Sequence, residues 1–155
     1  MITTNPFDHP SGEDSEADLE ADKFREECGV FGIFGHDDAA AHAALGLHAL
    51  QHRGQEAAGI VSFDGAQFHA HRNLGQVGDI FSSQAVMQKL SGNSAIGHTR
   101  YATSGDGALR NVQPLFAELD CGGFALAHNG NLTNARQLRE QLIRTGSIFQ
   151  STSDT

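Results

Sequence analysis

Apolar and polar positions change their rhythm several times along this chain. Val30, Phe31, Ile33 and Phe34 form a short apolar run broken by glycines, which predicts a buried strand with something packed close to its backbone. Over 37–52 the acidic residues stand first and Leu45, Leu47 and Leu50 come late, so an amphipathic helix starting at Asp37 or Asp38 is expected. Residues 58–63 then read as a strand, Asp64-Gly65 as a two-residue turn and 67–72 as the hairpin partner. A helix is predicted near 81–90, ended by Ser91-Gly92. Strands are expected at 94–101, 112–118 and 123–128, before a helix over 134–144 that stops at Gly146. Hairpinned strands with helices between them make this an α+β chain. The closing "FQSTSDT" looks like the start of another strand without a closing element, so the expected domain is incomplete, cut short at its C-terminal side.

Charge divides the chain in two. Of its 155 residues the first 27 hold nine carboxylates and two bases, which leaves -2 of the net -9 for the rest. Such a leader, poor in apolar groups and dense in like charge, cannot offset its ordering entropy, and it is expected to be disordered or cleaved away. It has no apolar segment of the kind that targets or anchors a protein, and no stretch elsewhere is long enough to span a membrane. Arg25, Glu26 and Glu27 rule out a lipoprotein reading of the cysteine that follows. No basic stripe suits a phosphate backbone, so nucleic acid is not an expected partner. Two cysteines cannot staple a secreted scaffold, and a reducing cytoplasm is the expected setting.

The first of those cysteines, Cys28, stands on the seam between leader and strand. A catalytic thiol needs a base to take its proton, and none of the nine histidines sits in a setting that marks it as that partner. A second solution exists. Cutting before Cys28 would free an α-amine with an ordinary pKa of about 7.7–8.0, an adjacent general base that an internal amide cannot be. A plain buried cysteine is the alternative on composition alone.

Further segments point the same way as a set: "CGVFGIFG" (28–35), "GLHALQHRGQEAAGI" (46–60), "IGHTRYATSG" (96–105), "NVQPL" (111–115), "LAHNGNLTNA" (126–135) and "STSDT" (151–155). Together they resemble the class II glutamine amidotransferase domain of the amidophosphoribosyltransferase family, over 28–155. Other class II glutamine amidotransferases share the nucleophile and differ in the "LQHRGQEAAGI" segment. The resemblance implies an N-terminal nucleophile hydrolase, a four-layer αββα sandwich matured by loss of a propeptide, here residues 1–27. Cys28 matches the nucleophile that attacks the side-chain amide of glutamine. Asn129 and the backbone N–H of Gly130 match the oxyanion hole, Arg100 the ligand of the substrate α-carboxylate with Thr103 beside it, and Asp154 the holder of the α-ammonium. Outside such a set, Asn-Gly is a tight turn, Arg100 an ion-pair partner and Asp154 an N-cap or chain-end acid. Arg53 lies in a family motif and is assigned no chemical step.

The family's overall reaction joins the released ammonia to phosphoribosyl pyrophosphate, giving 5-phosphoribosylamine at the first step of de novo purine synthesis. The phosphoribosyltransferase domain responsible is expected to be missing from these residues. With it would go the Mg2+ used with phosphoribosyl pyrophosphate and the 4Fe-4S cluster of some relatives, whose four ligands two cysteines cannot supply. No cofactor is expected in this stretch, and a homo-oligomer is expected of the full enzyme. His48 with His52, and His69 with His71, have spacings that can place two imidazoles on one face for a metal, but no third and fourth ligand follow. Cys121 before Gly122-Gly123 reads as a structural thiol at a turn. A competing expectation is a non-catalytic binding module that keeps the fold and never matures.

Overall fold

The computed structural model describes residues 28–101 and 109–155. The leader, with its expected disorder and cleavage, and Thr103 lie outside the described residues. β1 (Gly29–Phe34), β2 (Ala57–Phe63), β3 (Phe68–Leu74) and β4 (Ser94–Arg100) form one antiparallel sheet in the order β1-β4-β2-β3. The β2–β3 hairpin closes on Asp64, whose carboxylate accepts from the N–H groups of Ala66 at 2.8 Å and Gln67 at 2.7 Å. Asp is favoured in such turns because its side chain replaces the missing backbone acceptor. β5 (Leu115–Leu119) and β6 (Gly122–Leu126) pair as a second, two-stranded sheet, with Cys121 exposed in the turn between them.

Helix α1 (Ala39–Ala49) covers one face of the larger sheet, followed by a 3-10 turn at Gln51–Arg53. Ala39, Ala43 and Leu47 are fully buried. Their spacing of four puts them on one face, and two alanines let the helix approach closely. Leu47 rests on Gly97 of β4, where an added Cβ would stand 2.8 Å from the leucine side chain. These residues join Ile60, Val77, Ile80 and Phe81 in one core cluster. On the other face the Phe68 and Phe116 rings, 5.3 Å apart, stack the small sheet against the large one. The chain therefore layers helix, sheet and sheet, and α4 (Ala135–Arg144) follows the small sheet; the α+β class is what the structure shows.

Several boundaries differ from the sequence reading: the β2–β3 loop spans residues 64–67 rather than two, and β6 ends at Leu126 rather than His128. The helix near 81–90 is two short ones, α2 (Val77–Phe81) and α3 (Gln84–Lys89). Ser83 is extended and its carbonyl accepts from the N–H groups of Val86 and Met87, so this residue starts a new helix rather than continuing the old one. The strand expected from Val112 begins at Leu115, because Leu109–Asn111 form a 3-10 turn and the side chains of Asn111 and Gln113 bond across the fold. No strand forms at 147–155. Arg139 holds that segment by a 3.0 Å bond to the carbonyl of Ser151, with its guanidinium 4.3 Å above the Phe149 ring.

Candidate active site

Antiparallel pairing decides which ends of the chain meet. β1 and β4 run with Gly29 opposite Thr99, so the start of β1 and the end of β4 share one edge of the layer and Cys28 lies beside Arg100 and Tyr101. The Cys28 sulfur stands 3.4 Å from the N–H of Tyr101, which donates to it, and 3.6 Å from the Tyr101 carbonyl. Among the described residues no histidine shares a hydrogen bond with that sulfur. Cys28 is half-buried and has φ of 60°, the left-handed region that residues with a Cβ rarely occupy.

The loop after α1 brackets this residue. Arg53 takes the Cys28 N–H on its own carbonyl at 2.7 Å and returns a bond from Nε to the Cys28 carbonyl at 2.9 Å. The loop can reach this far because Gly54 slides under the end of β4: a Cβ there would lie 2.7 Å from the Arg100 carbonyl carbon. The Thr99 hydroxyl, fully buried, donates to the Gly54 carbonyl and locks the crossing. In the sequence Arg53 is legible only as part of a motif; its grip on both backbone groups of Cys28 is visible only in the fold.

From the second sheet comes the turn after β6. Asn129 Nδ2 lies 3.5 Å from the Cys28 carbonyl, a long contact by hydrogen-bond standards, and Gly130 follows with φ of 153°. A Cβ on Gly130 would come within 2.9 Å of the tip of the His128 ring, which would have to shift, so the demand for glycine rests chiefly on conformation. Asp154 joins the same turn: its Oδ2 accepts from the N–H of Leu132 at 2.6 Å. The structure thus brings Cys28 and Asn129 into contact, with Gly130 adjoining and Arg100 at the strand end, and ties Asp154 to the turn. Thr103 lies outside the described residues.

His98, which carried no role in the sequence reading, is the buried titratable group of the site. It sits on β4 between Val30 and Gly59 in register, two residues before Arg100, and is 1% exposed. Burial first, then the nearby Arg100 charge, push its pKa down to about 4, with a lesser push from His128. Neither ring nitrogen reaches good hydrogen-bond geometry, although the His128 backbone is near enough to favour the protonated ring slightly. The imidazole is therefore neutral at ordinary pH.

The histidine pairs do not gather further ligands. His69 instead lies 2.7 Å from Asp64 Oδ2, and this bond is the main reason that the exposed Asp64 carboxyl is held down to about 2. His71 presents its ring to Phe81 edge-on at 5.9 Å. Among the described residues no group of three His, Cys, Asp or Glu side chains could hold a metal ion, and no helix is long and apolar enough to cross a membrane.

A strained cysteine at the head of a central sheet, an amide turn from a second sheet and an acid tied to that turn define a class: a glutamine amidotransferase domain with the N-terminal nucleophile hydrolase fold. Comparison with known proteins agrees. The profile of a "Glutamine amidotransferase domain" matches residues 83–155. The amidophosphoribosyltransferase of Rhizobium etli is 64% identical over 137 residues, covering 88% of this chain and 28% of that protein. That of Lacticaseibacillus casei is 52% identical over 130 residues, covering 84% of this chain and 67% of that sequence. A solved structure described as the allosteric regulatory enzyme of purine biosynthesis superposes with a TM-score of 0.77 at 53% identity, over 81% of this chain and 27% of that one. The chain belongs to the amidophosphoribosyltransferase family. It spans less than a third of the length of the Rhizobium etli relative.

Proposed function

We propose that this chain is the glutamine-hydrolysing part of an amidophosphoribosyltransferase, supplying ammonia for the formation of 5-phosphoribosylamine from phosphoribosyl pyrophosphate. The observation that carries the proposal is the meeting of Cys28, the Arg100 strand end and the Asn129 turn at one edge of the stacked sheets.

The steps follow from the geometry. Loss of residues 1–27 turns the Cys28 nitrogen, held on the Arg53 carbonyl, into an α-amine. It also removes the peptide that makes φ of Cys28 a constrained angle, so the strain of the left-handed conformation, on the order of 1–2 kcal/mol, is relieved. The amine takes the thiol proton as the sulfur attacks the amide carbon of glutamine. Negative charge grows on the former carbonyl oxygen. Asn129 Nδ2 exchanges its long bond to the Cys28 carbonyl for this better acceptor, and the Gly130 N–H is the second donor. The protonated amine delivers its proton to the leaving nitrogen, ammonia departs, and a γ-glutamyl thioester remains. Water, deprotonated by the same amine, cleaves the thioester and releases glutamate.

Arg100 is the ligand of the substrate α-carboxylate, for which a planar two-pronged guanidinium is suited. Thr103 adds a bond to the same carboxylate. Asp154 receives the α-ammonium; one of its oxygens is engaged by Leu132, and a carboxylate has acceptor sites to spare. The partners are glutamine and a phosphoribosyltransferase domain, with a homo-oligomer as the assembled form, and the two unpaired thiols suit a reducing cytoplasm.

The test is a glutamine analogue bearing an electrophile at the amide position. Peptide mass mapping is expected to find it on Cys28 of a chain that begins there, and the adduct is expected to vanish in Cys28→Ser. Labelling of Cys121 in its place, or full glutaminase activity with residues 1–27 attached, would falsify the proposal. An intact leader on an inactive, unlabelled protein supports the non-catalytic module.

A further inference from the structure

We infer that Gln113 is a positioning residue for glutamine hydrolysis: its side-chain amide bridges the turn that carries Asn129 and Gly130 to the segment that carries Asp154, reinforcing the direct bond from the Leu132 N–H to Asp154. The inference rests on the glutamine site described above. It concerns the "NVQPL" segment, to which neither the chemistry nor the fold class assigns work.

Gln113 is buried, and its backbone is held from two sides. Its carbonyl presses on Gly59 of β2, where a Cβ would collide with it, and Arg72 Nη1 of β3 donates to the carbonyls of Val112 at 3.2 Å and Pro114 at 3.4 Å. From this anchored base the side chain reaches both halves of the site. Oε1 accepts from the N–H of His128 at 2.6 Å, directly before Asn129. Nε2 donates to Oγ1 of Thr155 at 3.0 Å, directly after Asp154.

The orientation of the amide is forced. A backbone N–H can only donate, so oxygen must face His128, and the hydroxyl then takes the NH2. Thr155 Oγ1 also meets the Ser153 hydroxyl at 2.8 Å, so both neighbours of Asp154 are drawn into the same bond network. Two residues earlier Asn111 clamps the same C-terminal segment at one residue: Nδ2 donates to Oγ1 of Thr152 at 2.7 Å, and Oδ1 accepts from the Thr152 N–H at 2.9 Å.

A fixed separation matters because one glutamine must touch both halves at once. Its ammonium is held at Asp154 while its amide oxygen, three carbons away from the α-carbon, must land between Asn129 and Gly130. Misplacement of about 1 Å in such a site costs on the order of 100-fold in rate. An apolar residue at 113 would also leave the His128 N–H without its acceptor.

The experiment measures glutaminase kcat and KM on the whole protein as its host makes it, with Gln113→Met, Thr155→Val and the double variant. Methionine keeps the length of glutamine and removes the amide. Gln113→Met is expected to lower kcat/KM about 10- to 100-fold, in kcat as well as KM. Thr155→Val, which removes the hydroxyl that accepts from both Gln113 and Ser153 and leaves the His128 tie intact, is expected to raise KM about 3- to 10-fold with kcat within about twofold. In the double variant the KM effect of Thr155→Val should be clearly smaller than in the unsubstituted protein, because its partner amide is already gone and only the Ser153 contact is left to lose. Additive KM effects, or ordinary kcat and KM in Gln113→Met, overturn the inference. Should Gln113→Met not fold, an unchanged KM in Thr155→Val overturns it alone. Analogue labelling of the unsubstituted protein is run in parallel: an unlabelled Cys28 sinks the glutamine site itself, whereas a labelled one with additive variants sinks only the role of Gln113.

Discussion

His98 makes the fold sensitive to acid, and the size of the effect can be worked out. Its pKa is about 4 in the fold against 6.5 in an open chain, first because the ring is buried and then because the Arg100 charge is near, with a lesser contribution from His128. A depressed histidine pKa means that the unfolded form binds the proton more readily than the folded form. The associated stability is therefore complete above pH 6.5 and is lost as pH falls from 6.5 toward 4. Linkage between these two values gives a loss of about 2 kcal/mol by pH 5. β4 lies inside the sheet, between β1 and β2, so opening it exposes this ring.

Native-state hydrogen exchange, read by mass spectrometry on peptides covering Ser94–Arg100 and corrected for the intrinsic pH dependence of exchange, reports the opening free energy. Between pH 7 and pH 5 the protein should lose about 2 kcal/mol more than a His98→Leu variant does. Parallel pH profiles for the two proteins would refute the reasoning, because they would show that His98 titrates alike in the folded and open states.

Two further outcomes are expected. Arg100→Lys should raise the glutaminase KM by about tenfold or more, because an ammonium cannot make the paired bonds of a guanidinium to a carboxylate; steady-state kinetics at saturating and subsaturating glutamine would show it, and an unchanged KM would remove Arg100 from the substrate site. Leu47→Ala should cost about 2–5 kcal/mol in chemical denaturation, since the side chain is fully buried against Gly97 and a glycine has no side chain to move into the cavity. A loss below about 1 kcal/mol would mean that α1 settles onto the sheet.

Much of this molecule could be read along the chain. The apolar run over 58–63 and the turn-forming Asp64 and Gly65 announce the β2–β3 hairpin, because composition and turn chemistry are local properties, although the loop spans residues 64–67 rather than two. The helix over 37–52 was legible in outline but not as an amphipathic one: its alanines lie all round it, Leu45 is exposed, and only contact with the sheet selects the buried face. Cys28, Arg100, Asn129, Gly130 and Asp154 were recognisable from ordered motifs.

What the tertiary structure alone decided is how distant segments meet. Arg53 grips Cys28 from 25 residues away, and Asn129 reaches it from 101. Gln113 joins two segments to which it bears no periodic relation. The late start of β5 and the irregular path of 147–155 have the same origin: at each, a side chain found a partner outside its own local pattern. A hydrogen bond between remote residues leaves no spacing in the sequence, because the distance it spans is set by the stacking of the two sheets. The sequence therefore determined which groups are candidates for the chemistry, and the packed layers determined which of them stand within reach of one another.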